Sequence, residues 1–157
     1  MIIYLGSDHA GFELKEKLEI YLKESGYEVA DNGPYEKNPD DDYPDYITTV
    51  ALKVSLNPKD VLGIILGGSG QGEAMMANRF PHVRAMVYYG GALQMIKVAR
   101  EHNDANVLSL GARFISDEEA KSAVKLWIET PFSSEERHIR RIKKIEELSK
   151  SVCWKTS

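Results

Sequence analysis

Five short apolar runs alternate with segments of helical periodicity along this chain, and that alternation leaves few folds open. Ile2–Gly6, Tyr27–Asp31, Val61–Leu66, Val83–Tyr88 and Asn106–Leu110 are each five or six residues long and rich in aliphatic side chains. Between them, Leu14, Leu18, Tyr21 and Leu22 recur at helical spacing before a stop at Gly26. A loop from Asn32 to Pro44 leads into a second helix ending near Leu56, where Asn57-Pro58 punctuates the chain. A third helix runs through Asn78, and two more are expected over 91–102 and 116–129. Short strands that are apolar on both faces belong in a parallel sheet covered by helices on both sides. The expected architecture is a three-layer αβα, Rossmann-like sheet of five parallel strands in flavodoxin-like order. Glu135 to about Val152 adds a final helix, with Ile139, Ile142, Ile145 and Leu148 at every third residue. That helix has no strand to cover, so it must pack on this subunit's edge or on a partner.

At 157 residues, with no repeat, low-complexity tract or linker, the chain is expected to form one domain. No apolar run approaches the ~18 residues of a membrane span. The N-terminal run meets Asp8 and His9 too early for a secretory leader. A single cysteine, Cys153, excludes an internal disulfide and a cysteine-built zinc site. These features point to the cytoplasm. The net charge of −4 argues against a nucleic-acid-coating protein, but it hides an asymmetry. Residues 1–60 carry 13 acids against 6 lysines, whereas residues 61–157 carry 11 acids against 14 bases and hold all seven arginines. Arginine's planar fork suits phosphate and carboxylate, so an anion site is expected in the later part, although any one arginine more often sits on a solvated helix face.

The densest motif is Gly67-Gly68-Ser69-Gly70-Gln71-Gly72-Glu73, between the third strand and its helix. Glycines there let backbone N–H groups point at an anion near a helix N-terminus. It is neither a Walker loop nor a dinucleotide fingerprint, because no Gly-Lys-Ser/Thr follows and Glu73 stands where the last glycine would be. Glu73 alone could be an ordinary first-turn carboxylate, and Asp8 alone an ordinary helix cap. In the commonest small doubly wound order, however, the first and third strands are neighbours and ligands bind between them. Asp8, His9, Glu73 and the loop amides would then converge.

His102-Asn103 follows a helix and precedes a strand, which places it at the opposite end of the sheet. It is either a helix C-cap pair or part of a neighbouring subunit's site. Arg137, Arg141 and Lys144 share one face of the last helix, a solvated stripe or a phosphate clamp.

Taken together, these blocks resemble the type B ribose-5-phosphate isomerases and the related galactose-6-phosphate isomerase subunits over nearly the whole chain. The carriers are Ser7-Asp8-His9-Ala10-Gly11-Phe12-Glu13-Leu14-Lys15, Asp42-Tyr43-Pro44 and the glycine loop running into Ala77-Asn78-Arg79. His102-Asn103-Asp104-Ala105-Asn106-Val107-Leu108, Gly111-Ala112-Arg113, and Arg137-His138 with Arg141 complete the set. One departure matters. Many family members place a cysteine just before the glycine loop as the base, and here that position is Gly67. Another branch uses a glutamate after the loop, which makes Glu73 the candidate base and Cys153 a bystander.

The resemblance implies an aldose–ketose isomerase for ribose 5-phosphate and ribulose 5-phosphate. Glu73 would move the proton between C2 and C1, and amides from Gly68, Ser69, Gly70, Gln71 and Gly72 would hold the enediolate, with Ser69 as a relay. His102, assisted by Asp8, would open the furanose ring while Asn103 holds a hydroxyl. His9, Arg113, Arg137 and Arg141 would take the phosphate, and Tyr43 would line the pocket. No metal or cofactor is implied, because the substrate carbonyl supplies its own acidity. The alternatives are a six-carbon substrate, galactose 6-phosphate or allose 6-phosphate, and a phosphosugar-binding module without catalysis. Since base and His102 lie at opposite ends of the sheet, two chains must build each site. The expected assembly is a homodimer with shared sites, with a dimer of dimers as the further assembly open to it.

Overall fold

A computed structural model describes residues 1–151, so Cys153 and the expected end of the last helix at Val152 lie outside the described residues. The elements alternate as the apolar periodicity requires: β1 (Ile2–Ser7), α1 (Phe12–Glu24), β2 (Glu28–Asp31), α2 (Tyr43–Leu56), β3 (Val61–Gly67) and α3 (Gln71–Ala77). Then follow β4 (Ala85–Tyr88), α4 (Gln94–Asn103), β5 (Val107–Gly111), α5 (Asp117–Glu129) and α6 (Glu136–Ser151). All four strand pairings are parallel, and the sheet runs β2-β1-β3-β5-β4.

Side chains alternate across a strand, and β3 shows how this sorts the helices. Leu62, Ile64 and Leu66 face the layer of α1, α4 and α5, packing with Leu14, Leu18, Ile96 and Trp127. Val61 and Ile65 face the opposite layer, with Ile47, Val50 and Val54 of α2 and Ala77 of α3. The three-layer αβα sandwich and the β1–β3 adjacency are as expected. The far half of the sheet departs from the flavodoxin-like order, because β5 rather than β4 lies next to β3. Burial accounts for the swap. Every residue of β5 is buried, whereas β4 is only half-buried before Tyr88 and suits an edge.

Two boundaries moved inward by more than one residue, each for a backbone reason. β4 begins at Ala85 rather than Val83, because His82 turns the chain with a φ of 65°. Helix α4 begins at Gln94 rather than 91, because Gly90 and Gly91 have φ of 108° and 95°. Helix α6 packs in cis on α4, and Glu146 binds His82 Nδ1 at 2.9 Å. The helix is otherwise open: Ile139 and Ile145 are exposed, and a groove of about 860 Å³ separates its later half, from Ile142 onward, from Phe80, Val83 and Met86.

Near β2 the core contains a charge. Lys15 of α1 is 1% exposed and its Nζ lies 2.5 Å from Asp31 Oδ2, while Asp31 Oδ1 accepts from the Gly33 amide. Removing one partner of a buried pair strands the other charge in low dielectric. Lys15→Met is expected to cost about 3 kcal/mol, roughly 6–12 °C in Tm, the lower end for such pairs because Asp31 keeps some solvent. Thermal and urea unfolding measure this directly. No helix among the described residues is long and apolar enough to cross a membrane.

Candidate active site

The sheet register assembles the first cluster. Ser7 stands opposite Leu66, and Gly67 opposite Gly111, so the residues that follow β1, β3 and β5 leave the same edge of the sheet side by side. Asp8-His9, the glycine loop and Ala112-Arg113 therefore meet above the carboxyl ends of three adjacent strands, where open α/β sheets place ligands. The strand ladder continues past the sheet: Asp8 N–H donates to Leu66 O, Ala112 N–H to Gly67 O and Arg113 N–H to Gly68 O.

These bonds orient the loop. The carbonyls of Gly67 and Gly68 are drawn toward β5, so across planar trans peptides the N–H groups of Gly68 and Ser69 point away from β5. Ser109 Oγ donates to Gly70 O at 2.6 Å, and Gly70 takes a φ of 77°, a conformation that favours glycine. Gln71 N–H donates to Ser69 Oγ at 3.3 Å, fixing that hydroxyl at the head of α3. The Arg113 guanidinium lies against Gly68, where an added Cβ would sit 3.2 Å from Nη1. The Tyr43 ring lies against Gly72, where an added Cβ would come within 2.9 Å.

Glu73, in the first turn of α3, is only 4% exposed. Its carboxylate folds back over Gly67, occupying the space that any side chain at 67 would need. A glutamate here and a cysteine at 67 are thus alternative fillings of one small volume. Burial raises the Glu73 pKa above the ordinary carboxylate value, and the nearby Asp8 charge adds to it, against a backbone hydrogen bond that lowers it. A place in the first turn of a helix favours the ionised carboxylate, but here desolvation prevails.

Asp8 is buried and its Oδ1 accepts from the amides of Ala10 and Gly11, capping the turn into α1 while facing Glu73. His9 is held by a residue that the sequence reading passed over. Asp41 Oδ1 lies 2.6 Å from His9 Nδ1. Within Asp40-Asp41-Asp42, an acidic loop triplet, nothing local marks Asp41 as different from its solvated neighbours. Asp8, His9 and Asp41 each bring one ligand-capable atom within 4.8 Å of the others. Hydrogen bonds already engage Asp8 Oδ1 and His9 Nδ1, which accounts for the clustering without an ion.

The second cluster lies at the other end of the sheet. His102 and Asn103 end α4, Asp104 follows in the left-handed conformation as the cap, and β5 begins only at Val107. The length of β5 alone separates this turn from the glycine loop by about 13 Å. His102 stacks on His138 of α6, with ring centroids 4.3 Å apart. His138 is buried, and Ser133 Oγ lies 2.8 Å from its Nδ1. Burial holds the His138 pKa below the usual imidazole value, helped by the nearby His102, Arg137 and Arg141 charges. Arg137 and Arg141 are exposed on α6, and Arg137 Nε donates to Glu135 at 2.8 Å. Arg84 binds the turn from below: its Nε donates to the carbonyls of Asn103 and Asp104, and Nη2 to the Asp104 carboxylate. One chain therefore brings together Asp8, His9, Tyr43, Gly68 to Gly72, Glu73 and Arg113, and separately His102, Asn103, Arg137 and Arg141.

Residues 3–145 match the model of the family described as Ribose/Galactose Isomerase. The chain belongs to that family. Ribose-5-phosphate isomerase B of Mycolicibacterium paratuberculosis is 42% identical over 142 residues, covering 90% of this chain and 87% of the relative. The Escherichia coli K12 protein of that name is 37% identical and covers 91% and 93%. Among solved structures, ribose-5-phosphate isomerase B of Mycoplasma genitalium, with bound ribulose-5-phosphate, superposes with a TM-score of 0.90 at 38% identity, covering 95% of this chain and 96% of that one. The Clostridium thermocellum enzyme gives 0.89 at 40% identity. This ribose/galactose isomerase family member thus shares its overall fold with those structures.

Proposed function

We propose that this single-domain isomerase interconverts ribose 5-phosphate and ribulose 5-phosphate through an enediolate, with Glu73 as the base. The observation that carries the reading is the buried carboxylate folded over Gly67 at the glycine loop, with its proton affinity raised by desolvation. Glu73 takes the C2 proton of the open-chain aldose, and the C–H electrons form the C1–C2 double bond. Loop donors from Gly68 to Gly72 stabilise the charge on the enediolate oxygen, an effect worth about 3 kcal/mol per donor. Ser69 relays the hydroxyl proton between O2 and O1, and Glu73 returns its proton to C1.

The remaining functions divide between two chains of a homodimer. The partner subunit's His102 protonates the ring oxygen to open the furanose, with Asp8 assisting, and the partner subunit's Asn103 holds a hydroxyl. His9 and Arg113 take the phosphate together with the partner subunit's Arg137 and the partner subunit's Arg141. The separation of the two clusters within one chain supports this division, as do the exposed apolar residues of α6. No step calls on a metal or cofactor, and the setting is cytoplasmic.

Turnover on ribose 5-phosphate, compared with allose 6-phosphate and galactose 6-phosphate at equal concentration, tests the substrate. A higher kcat/KM for the five-carbon sugar is expected. Preference for either six-carbon substrate would reassign it, and binding of ribose 5-phosphate without isomerisation would make the chain a binding module.

A further inference from the structure

We propose that Asp41 is a positioning residue for His9, holding the imidazole so that Nε2 alone meets the substrate phosphate; this rests on the phosphate role given to His9 above. One oxygen, Asp41 Oδ1, accepts from two donors of the same residue, the His9 amide at 3.2 Å and the ring Nδ1 at 2.6 Å. An ionised carboxylate can only accept, so Nδ1 carries the ring proton on that side. The two bonds close a ring through the His9 backbone and side chain, which fixes the imidazole rotation. Nε2 is left as the ring nitrogen for a ligand. Asp8, the other carboxylate within reach, has Oδ1 committed to the amides of Ala10 and Gly11.

The burial of Asp41 is difficult to explain as loop decoration. Its side chain is 3% exposed while the imidazole it holds is 28% exposed. Its second oxygen, Oδ2, is buried with no hydrogen-bond partner among the described residues. A buried acceptor left unpaired is costly, and a loop carboxylate free to move would turn to water. The loop itself is tethered: Asp41 N–H donates to Asn38 O, and Tyr43, two residues on, lies against Gly72. One segment thus reaches both the imidazole and the glycine loop. Second partners of this kind set the tautomer and direction of a histidine whose other nitrogen binds a ligand.

The test uses the full chain with 15N-labelled histidine, titrated calorimetrically with inorganic phosphate. Wild type is expected to show His9 protonated at Nδ1. Asp41→Ala is expected to lose that signature and to bind phosphate about tenfold more weakly. Asp41→Asn keeps an acceptor oxygen at the same place and is expected to retain phosphate affinity within about threefold. A wild-type His9 bare at Nδ1, or an Asp41→Ala protein that binds phosphate as wild type does, overturns the proposal. If Asp41→Ala does not fold, Asp41→Glu replaces it: the acceptor moves by one methylene with charge unchanged, and undiminished phosphate affinity is then the overturning result. Both readouts are independent of turnover, so a wild-type protein that binds phosphate in this way but does not isomerise ribose 5-phosphate defeats only the functional reading.

Discussion

Glu73→Gln is expected to lower kcat on ribose 5-phosphate by about a thousandfold, with KM little changed. The amide matches the carboxylate in shape and fills the same space over Gly67, so the loop has no reason to move. What it lacks is the capacity to accept a proton. The pH profile gives a second reading of the same group. Because burial raises the Glu73 pKa, the acidic limb of wild-type kcat/KM is expected above the ordinary carboxylate value of 4.5. Activity falls as pH drops through that raised value, since the base becomes protonated. Stability moves in the opposite sense. A carboxyl whose folded pKa is raised destabilises the fold once pH exceeds its unfolded value, so at neutral pH the uncharged glutamine relieves a burial cost. Glu73→Gln is therefore expected to raise Tm at pH 7 while abolishing most turnover. A variant that keeps most of the wild-type rate would remove Glu73 from the role of base.

The second large effect concerns subunits. Glu73→Gln and His102→Ala proteins are each expected to be nearly inactive as homodimers. Mixed under conditions of subunit exchange, they form heterodimers in which one site carries both lesions and the other carries neither. With random pairing of equal amounts, about half the dimers are mixed and each regains one of two sites, so roughly a quarter of wild-type activity should return. The measurement is the isomerase rate before and after exchange, with heterodimer formation followed by native mass spectrometry. Absence of recovery despite confirmed heterodimers would mean that each site is built within one chain.

The proposed two-chain site would account for the apolar side chains that the last helix leaves exposed in a single chain. Helix α6 carries Arg137 and Arg141 on an exposed face, while His138 is buried, stacked on His102. Its apolar residues Ile139 and Ile145 remain exposed, as expected for a helix that completes a surface with another copy. Arg84 and Ser133 meanwhile set the pose of the His102 turn and of His138 within the chain. The His102 turn is thus held by hydrogen bonds within one chain, which limits the ordering that the proposed association would have to supply.

The sequence alone determined the layered fold and the first cluster. Strand–helix alternation is a local property, written in period 2 and period 3.6, and the position of a glycine loop after a strand fixes its edge of the sheet. Once β1 and β3 are neighbours, Asp8, His9 and Glu73 have nowhere else to go. The same logic placed His102 and Asn103 at the opposite edge, because a residue that precedes a parallel strand must lie there. Tertiary structure alone decided the rest. That β5 displaces β4 from the sheet centre depends on which strand is buried on both faces, a comparison between distant segments. That Glu73 occupies the empty volume of Gly67, and that Asp41 rather than Asp40 or Asp42 grips His9, are likewise long-range facts. An acidic triplet reads the same at all three positions until a fold buries one of them. The sequence states which chemical groups are present, while packing decides which of their oxygens is buried.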